Sequence, residues 1–381
     1  MKIAYYSNIF FTDCDFPLIK QYQQKGIETL YFIELVKNHF SGGLFNIQSK
    51  IPKHGIVCAN QIPEFCIYKN YINLNNVFLV IRTGSFFDII NWITYLNLFC
   101  KIFIFNATVL HITQVLGISE FILYLFRKKM VLTVHDPFLH SGEYNKSSDR
   151  KRRLAFKIIP KLVLLNNRQR NSFVSFYKPN GKIYENILGV YDCLNCLNEI
   201  SKKEEERRYI LFFGHFSPYK GIDVLCQAMK LVNFTIKDVF CIIAGKGELD
   251  FDFSIYEEEK SITIINKFIE TKDLVRLIEG AVFIVCPYKD ATQSGVVFSS
   301  FAMNKPVVAS DVGGISESVI DDVTGKLVPP NNPQALADVI IDLLKNPEKV
   351  KQYSNNIKER YSEGVLSWNN ISQRYLDIYI A

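Results

Sequence analysis

The sequence predicts an α/β protein with two doubly wound, Rossmann-like domains, each built on a mainly parallel sheet. Short apolar runs alternate with longer segments at helical spacing along the whole chain, as strands and crossover helices do in parallel sheets. Most of these runs are almost continuously apolar, which is typical of strands covered on both faces. The length of 381 residues, 48% of them apolar, allows two separate cores.

Eleven apolar runs are predicted to be strands. The first half contains six of them: MKIAYYS (1–7), TLYFIEL (29–35), VFLVI (77–81), ATVLHIT (107–113), MVLTVH (130–135) and KLVLLN (161–166). The second half contains five: YILFFG (209–214), VFCIIAGKG (239–247), ITIINKF (262–268), VFIVCPY (282–288) and PVVAS (306–310). Segments such as DVLCQAMKLV and DLVRLIEGA, at helical spacing, are expected to be the helices between strands.

The composition of residues 191–208 predicts a domain boundary. The charged end of YDCLNCLNEISKKEEERR lacks apolar periodicity, which is typical of a linker. We therefore expect an N-terminal domain over 1–190, a linker over 191–208, a C-terminal domain over 209–363 and a final helix over 364–381. Hinge motion is expected near the linker.

The apolar and cysteine content indicates a cytoplasmic protein. The most apolar stretch of the first half, 86–126, is interrupted by Asp88 and Lys101 before about 18 uncharged residues accumulate, so a membrane span is not expected. The N-terminus lacks the features of an export signal. Nine cysteines without a disulfide framework suit a reducing compartment. Cys193 and Cys196 form a lone C-x-x-C pair, for which we expect free thiols and no metal.

The net charge of +6 suits a phosphate-bearing ligand or an anionic membrane surface, but it is spread over a long chain. Its densest part is the run from Arg150 to Arg153. We interpret this run as a solvated helix face, because Pro160 ends any amphipathic helix soon after it. Nucleic-acid binding is not expected, since no recognised module is present.

The turn after the strand at 209–214 has the residues of a phosphate site. In GHFSPYKG, Lys220 stands between a strand and a helix, where an ammonium can contact a diphosphate. Gly214 allows close backbone approach and Gly221 opens the helix. An ordinary solvated turn lysine is the alternative.

The strand at 239–247 also ends in glycines. Gly245 and Gly247 flank a lysine, and a tight turn is enough to explain them. Together with the other turns, this one could let a nucleobase or ribose lie against the backbone. The segment lacks the G-x-G-x-x-G pattern of a dinucleotide site.

The stretch from 282 to 317 is the most informative. A strand ends at Pro287, a polar loop follows, and Ser294, Gly295 and Val296 open a predicted helix. Unpaired N–H groups and the positive end of the helix dipole would face a diphosphate there. A plain capped helix is the alternative.

The second half resembles the retaining glycosyltransferases of the GT-B fold, in particular glycosyltransferase family 4, over roughly residues 207–345. The resemblance implies two Rossmann-like domains facing a central cleft. It is carried by GHFSPYKGIDVL, AGKGE, the run from Lys272 to Pro287, and KPVVASDVGGISESVIDDVTGKLVPP, with Lys305, Pro306, Gly313, Gly314, Glu317, Gly325 and Pro329 at the family's spacing.

The resemblance implies roles for individual residues, with two departures. Lys220 matches the lysine of the family's diphosphate-binding pair, while His215 replaces the usual arginine. The family's two glutamates are absent: Ala291 and Ser299 stand there in one register, and Thr292 and Ser300 in the other. Asp290 is expected to substitute for the first glutamate, and Ser299 to contact the ribose. Gly214, Gly245, Gln293, Ser294, Gly295 and Val296 complete the expected donor site.

In the first half, VLTVHDPFLHSGE resembles the family's segment at the interdomain cleft. Its His135 matches the histidine that contacts the donor sugar, and Asp136 and His140 are expected on the acceptor side. A histidine satisfied by neighbouring backbone is the alternative. The segment VLHIT resembles the strand that in this family ends with a histidine, here His111, for which a structural role is expected equally. The family's glycine-rich loop after the first strand is missing, and Ser7 and Asn8 are the replacements.

The resemblance implies transfer of a hexosyl-type sugar from a nucleoside diphosphate sugar to a hydroxyl acceptor, with retention and without a metal or other cofactor. The expected catalytic residues are Lys220 and His135. Bacterial-type surface polysaccharide or glycan assembly is the expected setting, with a glycan or lipid-linked glycan acceptor and peripheral contact with the inner face of the membrane left open. The alternatives are a non-catalytic sugar-nucleotide-binding protein and a sugar-nucleotide epimerase or hydrolase on the same scaffold.

Overall fold

The computed structural model describes residues 1–37, 40–84, 88–138, 145–165, 169–200, 208–256, 259–291 and 294–381. The chain divides into two compact units, the first made of Met1–Gly189 and Trp368–Ala381, and the second of Val190–Ser367. Each unit contains a largely parallel sheet with its own buried core, so the predicted α/β fold class is confirmed.

The first unit is organised around an eight-stranded sheet in the order β10-β9-β8-β7-β1-β2-β6-β5. Every neighbouring pair is parallel except β5 and β6. The separate pair β3 and β4 is antiparallel. The ten strands are β1 (Lys2–Asn8), β2 (Glu28–Val36), β3 (Ser41–Gly42), β4 (Phe45–Asn46), β5 (Gly55–Cys58), β6 (Val77–Arg82), β7 (Val109–Ile112), β8 (Met130–Val134), β9 (Lys161–Leu164) and β10 (Lys182–Glu185).

Four α-helices lie in the described part of Met1–Gly189, and two of them show recognisable start or stop signals. They are α1 (Thr12–Gln24), α2 (Ile89–Phe105), α3 (Lys146–Ile158) and α4 (Arg170–Tyr177). The Asp88 side chain accepts from the backbone N–H of Ile90 and caps α2, which ends at Asn106 in the left-handed conformation. The helix α3 ends two residues before Pro160, as the sequence predicts.

The second unit contains a six-stranded, fully parallel sheet in the order β13-β12-β11-β14-β15-β16. Its strands are β11 (Tyr209–Phe213), β12 (Phe240–Gly245), β13 (Ile262–Asn266), β14 (Ala281–Cys286), β15 (Val307–Ser310) and β16 (Gly325–Val328). The order reverses between β11 and β14. Ligands of such sheets bind outside the carboxyl ends of the strands at this reversal. A ligand site is therefore expected at the loops after β11 and β14.

Helices cover the second sheet. They are α5 (Ile222–Thr235), α6 (Thr271–Gly280), α7 (Gly295–Ala302), α8 (Ile315–Ser318), α9 (Pro333–Lys345) and α10 (Pro347–Lys358). The final helix, α11 (Trp368–Ile380), belongs to the first unit, where the Tyr379 hydroxyl lies 2.7 Å from the Tyr22 hydroxyl of α1. Among the described helices, none has both the length and the apolar content that crossing a membrane requires.

The expected linker over 191–208 differs from the structure in its first part. Asp192–Ile200 forms a 3-10 helix in which the side chains of Cys193, Leu194 and Leu197 are buried. These three apolar side chains explain the packing, whereas the charged residues that suggested a linker come later, largely in 201–207, outside the described residues. Neither Cys193 nor Cys196 forms a disulfide.

Candidate functional site

The loops after β11 and β14 meet at the carboxyl edge of the second sheet. After β11 the chain makes the 3-10 turn Pro218–Lys220 and enters α5. After β14 it passes through Pro287 to Tyr288 and reaches α7. The two loops follow the neighbouring strands at which the strand order reverses, where a parallel sheet places its ligands.

The buried ring of Tyr288 connects Lys220 to the start of α7. The ammonium nitrogen of Lys220 lies 3.8 Å from the centre of the Tyr288 ring and 5.0 Å from that of Tyr219. The Tyr288 hydroxyl lies 3.2 Å from the Ser294 hydroxyl, a hydrogen bond in which either group can donate. The structure therefore brings together the lysine and the helix terminus that the sequence predicts to act jointly.

Backbone contacts hold the two loops against each other. The N–H of Lys289 donates to the carbonyl oxygen of Tyr219 over 2.7 Å. Gly221 adopts the left-handed conformation, and a Cβ atom there would lie 2.0 Å from the carbonyl oxygen of Pro287. Only glycine allows this approach, so the sequence Lys220–Gly221 fixes where the lysine stands.

The N-terminus of α7 has no side-chain cap. Ser294 is the N-cap residue and is buried, but its hydroxyl contacts Tyr288 and does not accept from the helix backbone. The first N–H groups of an α-helix have no acceptor within the helix, and the helix dipole places partial positive charge there. The amides that open α7 at Gly295 and Val296 therefore favour an anion.

Lys220 is held in a site that disfavours its own charge. Burial lowers the pKa of the Lys220 ammonium to about 8, and the nearby Cys286 thiol opposes this only weakly because burial raises the pKa of that thiol to about 11. The carboxylate of Asp223 pairs with Lys289 at 2.9 Å. Within the described ranges Lys220 has no ion-pair partner. An anionic ligand would supply the missing favourable interaction.

The turn after β12 lies beside the loop after β11. The Gly214 N–H donates to the carbonyl oxygen of Ala244 over 3.0 Å, and the Phe216 N–H donates to Lys246 over the same distance. A Cβ atom at Gly245 would lie 1.8 Å from the carbonyl oxygen of Gly214. The backbones of Gly214 and Gly245 thus pack directly against each other. His215, which follows Gly214 and precedes the turn that contains Lys220, is exposed.

The remaining donor residues of the prediction have different surroundings. Asp290 is exposed in the loop after β14, and Ser299 is buried in the second turn of α7. The Ser300 hydroxyl donates to the carbonyl oxygen of Val296 over 2.6 Å, so this hydrogen bond lies within α7. Gln293 and Thr292 lie outside the described residues.

In the first unit, His135 directly follows β8 and stacks on an aromatic ring. Its ring centre lies 4.0 Å from that of Phe11, with the two planes 13° apart. Burial lowers the pKa of His135 to about 4, so the ring is neutral at physiological pH. Its Nε2 atom is buried and has no hydrogen-bond partner among the residues that the structure describes. Contact with the donor sugar and the alternative of a histidine satisfied by neighbouring backbone both stay predictions for His135.

The neighbours of His135 have mainly structural contacts. The carbonyl oxygen of Asp136 accepts from the Arg152 guanidinium, so part of the basic run at Arg150 to Arg153 is used for packing, in contrast to the solvated face we expected. His111 is fully buried, with Nε2 2.7 Å from the Thr133 hydroxyl and Nδ1 against the Tyr379 hydroxyl. His140 lies outside the described residues.

The sequence reasoning missed the tyrosines that position Lys220. Tyr288 is fully buried and Tyr219 half exposed, and both face the ammonium. A signal existed, because Tyr288 follows the strand β14 almost directly and Tyr219 precedes Lys220. In the described part of the chain, no cluster of three histidine, cysteine or acidic side chains is suited to hold a metal ion.

Most of the second unit matches a known protein family. Residues 197–360 match the family described as "Glycosyl transferases group 1". The matched range contains the loops after β11, β12 and β14, and so includes Lys220, Gly245 and the start of α7. The family and the geometry thus identify the same part of the chain.

Curated relatives match about as much of the chain as the family does. An uncharacterized glycosyltransferase of Methanocaldococcus jannaschii is 31% identical over 175 residues, 45% of this chain and 47% of that protein. An O-antigen chain mannosyltransferase C of Escherichia coli is 25% identical over 178 residues, 45% of this chain and 46% of that protein. The match thus spans about half the length of these curated relatives.

A solved structure covers both units. The crystal structure of the Anabaena protein HepE in complex with UDP-glucose superimposes with a TM-score of 0.63 at 15% identity, covering 99% of each chain. At this identity the likeness concerns the fold alone. The chain thus has the GT-B fold of two Rossmann-like domains, and its residues 197–360 form a domain similar to glycosyl transferases group 1.

Proposed function

We propose that this protein is a glycosyltransferase that moves a hexosyl-type sugar from a nucleoside diphosphate sugar to a hydroxyl acceptor with retention of configuration. One observation carries the proposal: Lys220 and the uncapped N-terminus of α7 contact the same side chain, Tyr288, where the strand order of the second sheet reverses. The family match of residues 197–360 and the names of the relatives support it.

The proposed chemistry follows from where charge develops. When the bond between the sugar and the diphosphate breaks, negative charge accumulates on the departing diphosphate oxygen. The Lys220 ammonium and the amides opening α7 would stabilise that charge, and both are held in place before the reaction. Desolvation of Lys220 strengthens this effect, because a buried ammonium interacts more strongly with an anion than a solvated one does.

Further residues complete the proposal. Asp290 would contact a sugar hydroxyl and Ser299 a ribose hydroxyl, in place of the family's two glutamates. The roles of His135, Asp136 and His140 stay predictions. We propose that the reaction needs no metal, that the acceptor is a glycan or lipid-linked glycan in bacterial-type surface polysaccharide assembly, and that the protein contacts a membrane peripherally.

Binding and transfer can be tested separately. Calorimetric titration with UDP, GDP and dTDP measures diphosphate affinity, and mass spectrometry of reactions with a panel of sugar nucleotides and glycan acceptors detects transfer. We expect affinity for at least one nucleotide to fall tenfold or more in Lys220→Ala, which corresponds to about 1.4 kcal/mol. The matched control is Lys230→Ala, because Lys230 also lies over a tyrosine ring, at 4.4 Å from the centre of Tyr256, outside the proposed site.

The outcome decides between the proposal and its alternatives. A transferred sugar whose anomeric configuration by NMR equals that of the donor supports it. A released free sugar or a changed donor sugar would instead indicate a hydrolase or epimerase. Equal affinity of Lys220→Ala, Lys230→Ala and the wild-type protein for every nucleotide would contradict the proposed diphosphate site.

A second candidate is a protein that binds a sugar nucleotide without turnover. The absence of both family glutamates favours it, since Ala291 and Ser299, or Thr292 and Ser300, occupy the two positions. Nucleotide binding that depends on Lys220, together with neither transfer nor hydrolysis for any donor, would support this candidate.

A further inference from the structure

The outer face of α2 is unusually apolar for a surface in contact with water. Along this helix, exposed side chains recur at helical spacing, and most of them are large and apolar. Ile104 retains 81% of its accessible surface and Trp92 retains 43%. The apolar members of this stripe are Ile89, Trp92, Ile93, Leu96, Phe103 and Ile104.

The helix α2 carries polar side chains on its buried face and apolar side chains on its exposed face, which is the reverse of an ordinary surface helix. Its buried side chains include Asn91 and Thr94, and the hydroxyl of the buried Tyr95 donates to Glu34 over 2.6 Å. A helix that only covers a core places its polar residues outward. The exposed stripe is therefore unexplained by folding of this unit, and an apolar patch of this extent marks an interaction surface.

A neighbouring element extends the apolar surface. The 3-10 helix Phe121–Lys129 contacts α2 through the rings of Phe126 and Phe99, whose centres lie 4.9 Å apart. Its exposed face carries Phe121 and Leu125. The two elements together form one surface, which we call the α2 face.

The charges of the α2 face are positive. The 3-10 helix ends in the exposed residues Arg127, Lys128 and Lys129. The one charged residue of α2, Lys101, is also basic, but it is half-buried with its ammonium 4.1 Å from the centre of the Phe78 ring. The acidic groups beside these elements are already used: Asp88 caps α2, and the buried Glu120 accepts from the hydroxyl of Tyr6 over 2.7 Å. An anionic partner is favoured over a neutral or cationic one.

We propose that the α2 face is the surface that makes the peripheral membrane contact, and that it binds a membrane containing anionic lipids; the inference rests on that part of the proposed function. Large apolar side chains, a tryptophan and adjacent basic residues are the features of elements that lie in the interface plane. The apolar stripe would enter the boundary between headgroups and acyl chains, while the basic end would pair with anionic headgroups. A second copy of this chain fits less well, since two such faces meeting by symmetry bring like charges together.

Tryptophan fluorescence gives a direct test, because the sequence has two tryptophans and their environments differ. Trp92 is exposed in the α2 face, whereas Trp368 is 6% exposed in the first unit. Adding vesicles of phosphatidylglycerol and phosphatidylethanolamine to the full chain should shift the emission to shorter wavelength. Trp92→Phe should remove the shift, and vesicles of phosphatidylcholine alone should give a smaller one.

Vesicle flotation then separates the apolar and the electrostatic contributions. Phe103→Ser with Ile104→Ser should weaken binding at least tenfold, and Arg127→Gln with Lys128→Gln should weaken it by about fivefold for each charge removed. These side chains are exposed, so the variants should fold. Phe234→Ser with Lys237→Gln is the matched control, because both residues are exposed in or just after α5 of the second unit. The control should bind like the wild-type protein.

The contrary results are equally specific. Absence of vesicle binding by the wild-type chain, or equal binding by the wild-type, Phe103→Ser/Ile104→Ser and control proteins, would overturn the proposal. A concentration-dependent dimer in sedimentation that the double serine variant abolishes, without any vesicle binding, would assign the face to a second copy. Neither test uses sugar transfer, so a failure here would remove the proposed membrane contact and leave the proposed transfer reaction untouched.

Discussion

Replacing Lys220 by methionine should stabilise the protein while removing its affinity for a nucleoside diphosphate. Methionine keeps an unbranched apolar side chain of similar length but lacks the ammonium. In the folded protein the ammonium is desolvated, lies over the ring of Tyr288 and has no ion-pair partner in the described part of the chain. A lysine with these surroundings lowers stability when it is protonated. Under the proposed function, this cost is accepted because the lysine binds the diphosphate.

The expected gain can be worked from the pKa. Burial lowers the pKa of Lys220 from 10.5 to about 8, and each pKa unit corresponds to about 1.4 kcal/mol, so a protonated Lys220 costs about 3 kcal/mol at neutral pH. The contact with the Tyr288 ring offsets about 2 kcal/mol of this cost. Lys220→Met should therefore raise the free energy of unfolding by about 1 kcal/mol at pH 7.

The pH dependence has a definite sign. The folded-state pKa is depressed, so the native state binds fewer protons than the unfolded state between about pH 8 and 10.5, and wild-type stability gains relative to Lys220→Met as pH rises through this window. Nucleotide affinity should follow the protonated fraction of Lys220 and weaken above about pH 8. In Lys220→Met this dependence of affinity on pH should be absent.

Urea unfolding from pH 7 to 10.5, followed by circular dichroism, measures the stability difference, and calorimetric titration with the best-binding nucleotide measures affinity. Lys230→Met serves as the control for a lysine over a tyrosine ring. A Lys220→Met protein that is less stable than the wild type at pH 7, or one that keeps wild-type affinity, would refute the reasoning.

Four further predictions concern Tyr288, Gly245, His135 and the need for a metal ion. Tyr288→Phe keeps the ring under Lys220 but removes the hydroxyl that contacts Ser294. Urea unfolding should show a free energy of unfolding that is lower by about 1 kcal/mol. Calorimetric titration should show that the pH dependence of nucleotide affinity is unchanged. Gly245→Ala should cost about 1–3 kcal/mol, because its Cβ atom would overlap the carbonyl oxygen of Gly214, whereas Gly84→Ala meets open space and should be near neutral in the same unfolding assay. Burial lowers the pKa of His135 from 6.5 to about 4, so the free energy of unfolding should fall by up to about 3 kcal/mol as the pH falls from 6.5 to 4. In urea unfolding, His135→Asn should lose less stability over this pH range than the wild-type protein. An equal loss would mean that the ring is not buried as described. Sugar transfer should be unaffected by EDTA, and a transfer rate that falls with EDTA and returns with added Mg²⁺ or Mn²⁺ would contradict the proposed metal-free reaction.

The buried strands were predictable from sequence, whereas three of the four edge strands of the two large sheets were not. Runs such as IAYY and YILFF are apolar throughout, as is typical of strands that are covered on both faces. The missed strands β5, β10 and β16 have four residues each, and β10, KIYE, has charged ends. They lie at the ends of the sheets, where one side is unpaired and burial is partial, so the apolar signal is weak.

The positions of the candidate site residues were predictable from sequence where a short segment of the chain determines its own backbone geometry. Lys220 follows a strand and precedes a glycine that must approach Pro287, and Ser294 opens a helix, so a local pattern determines each position. The ring of Tyr288 between them depends on two loops separated by more than sixty residues, which a local pattern does not reveal. The motif residue Lys305 has a structural use that the pattern also hides, since its ammonium donates to the carbonyl oxygens of Glu279 and Ala281, each over 2.7 Å.

The position of a bound diphosphate tests the central claim most directly. A crystal structure of the full chain with the nucleoside diphosphate that binds best should place a phosphate oxygen within hydrogen-bonding distance of the Lys220 ammonium, and another against the amides of Gly295 and Val296. A well-ordered diphosphate bound elsewhere, with Lys220 still lying over Tyr288 and α7 unoccupied, would contradict the account.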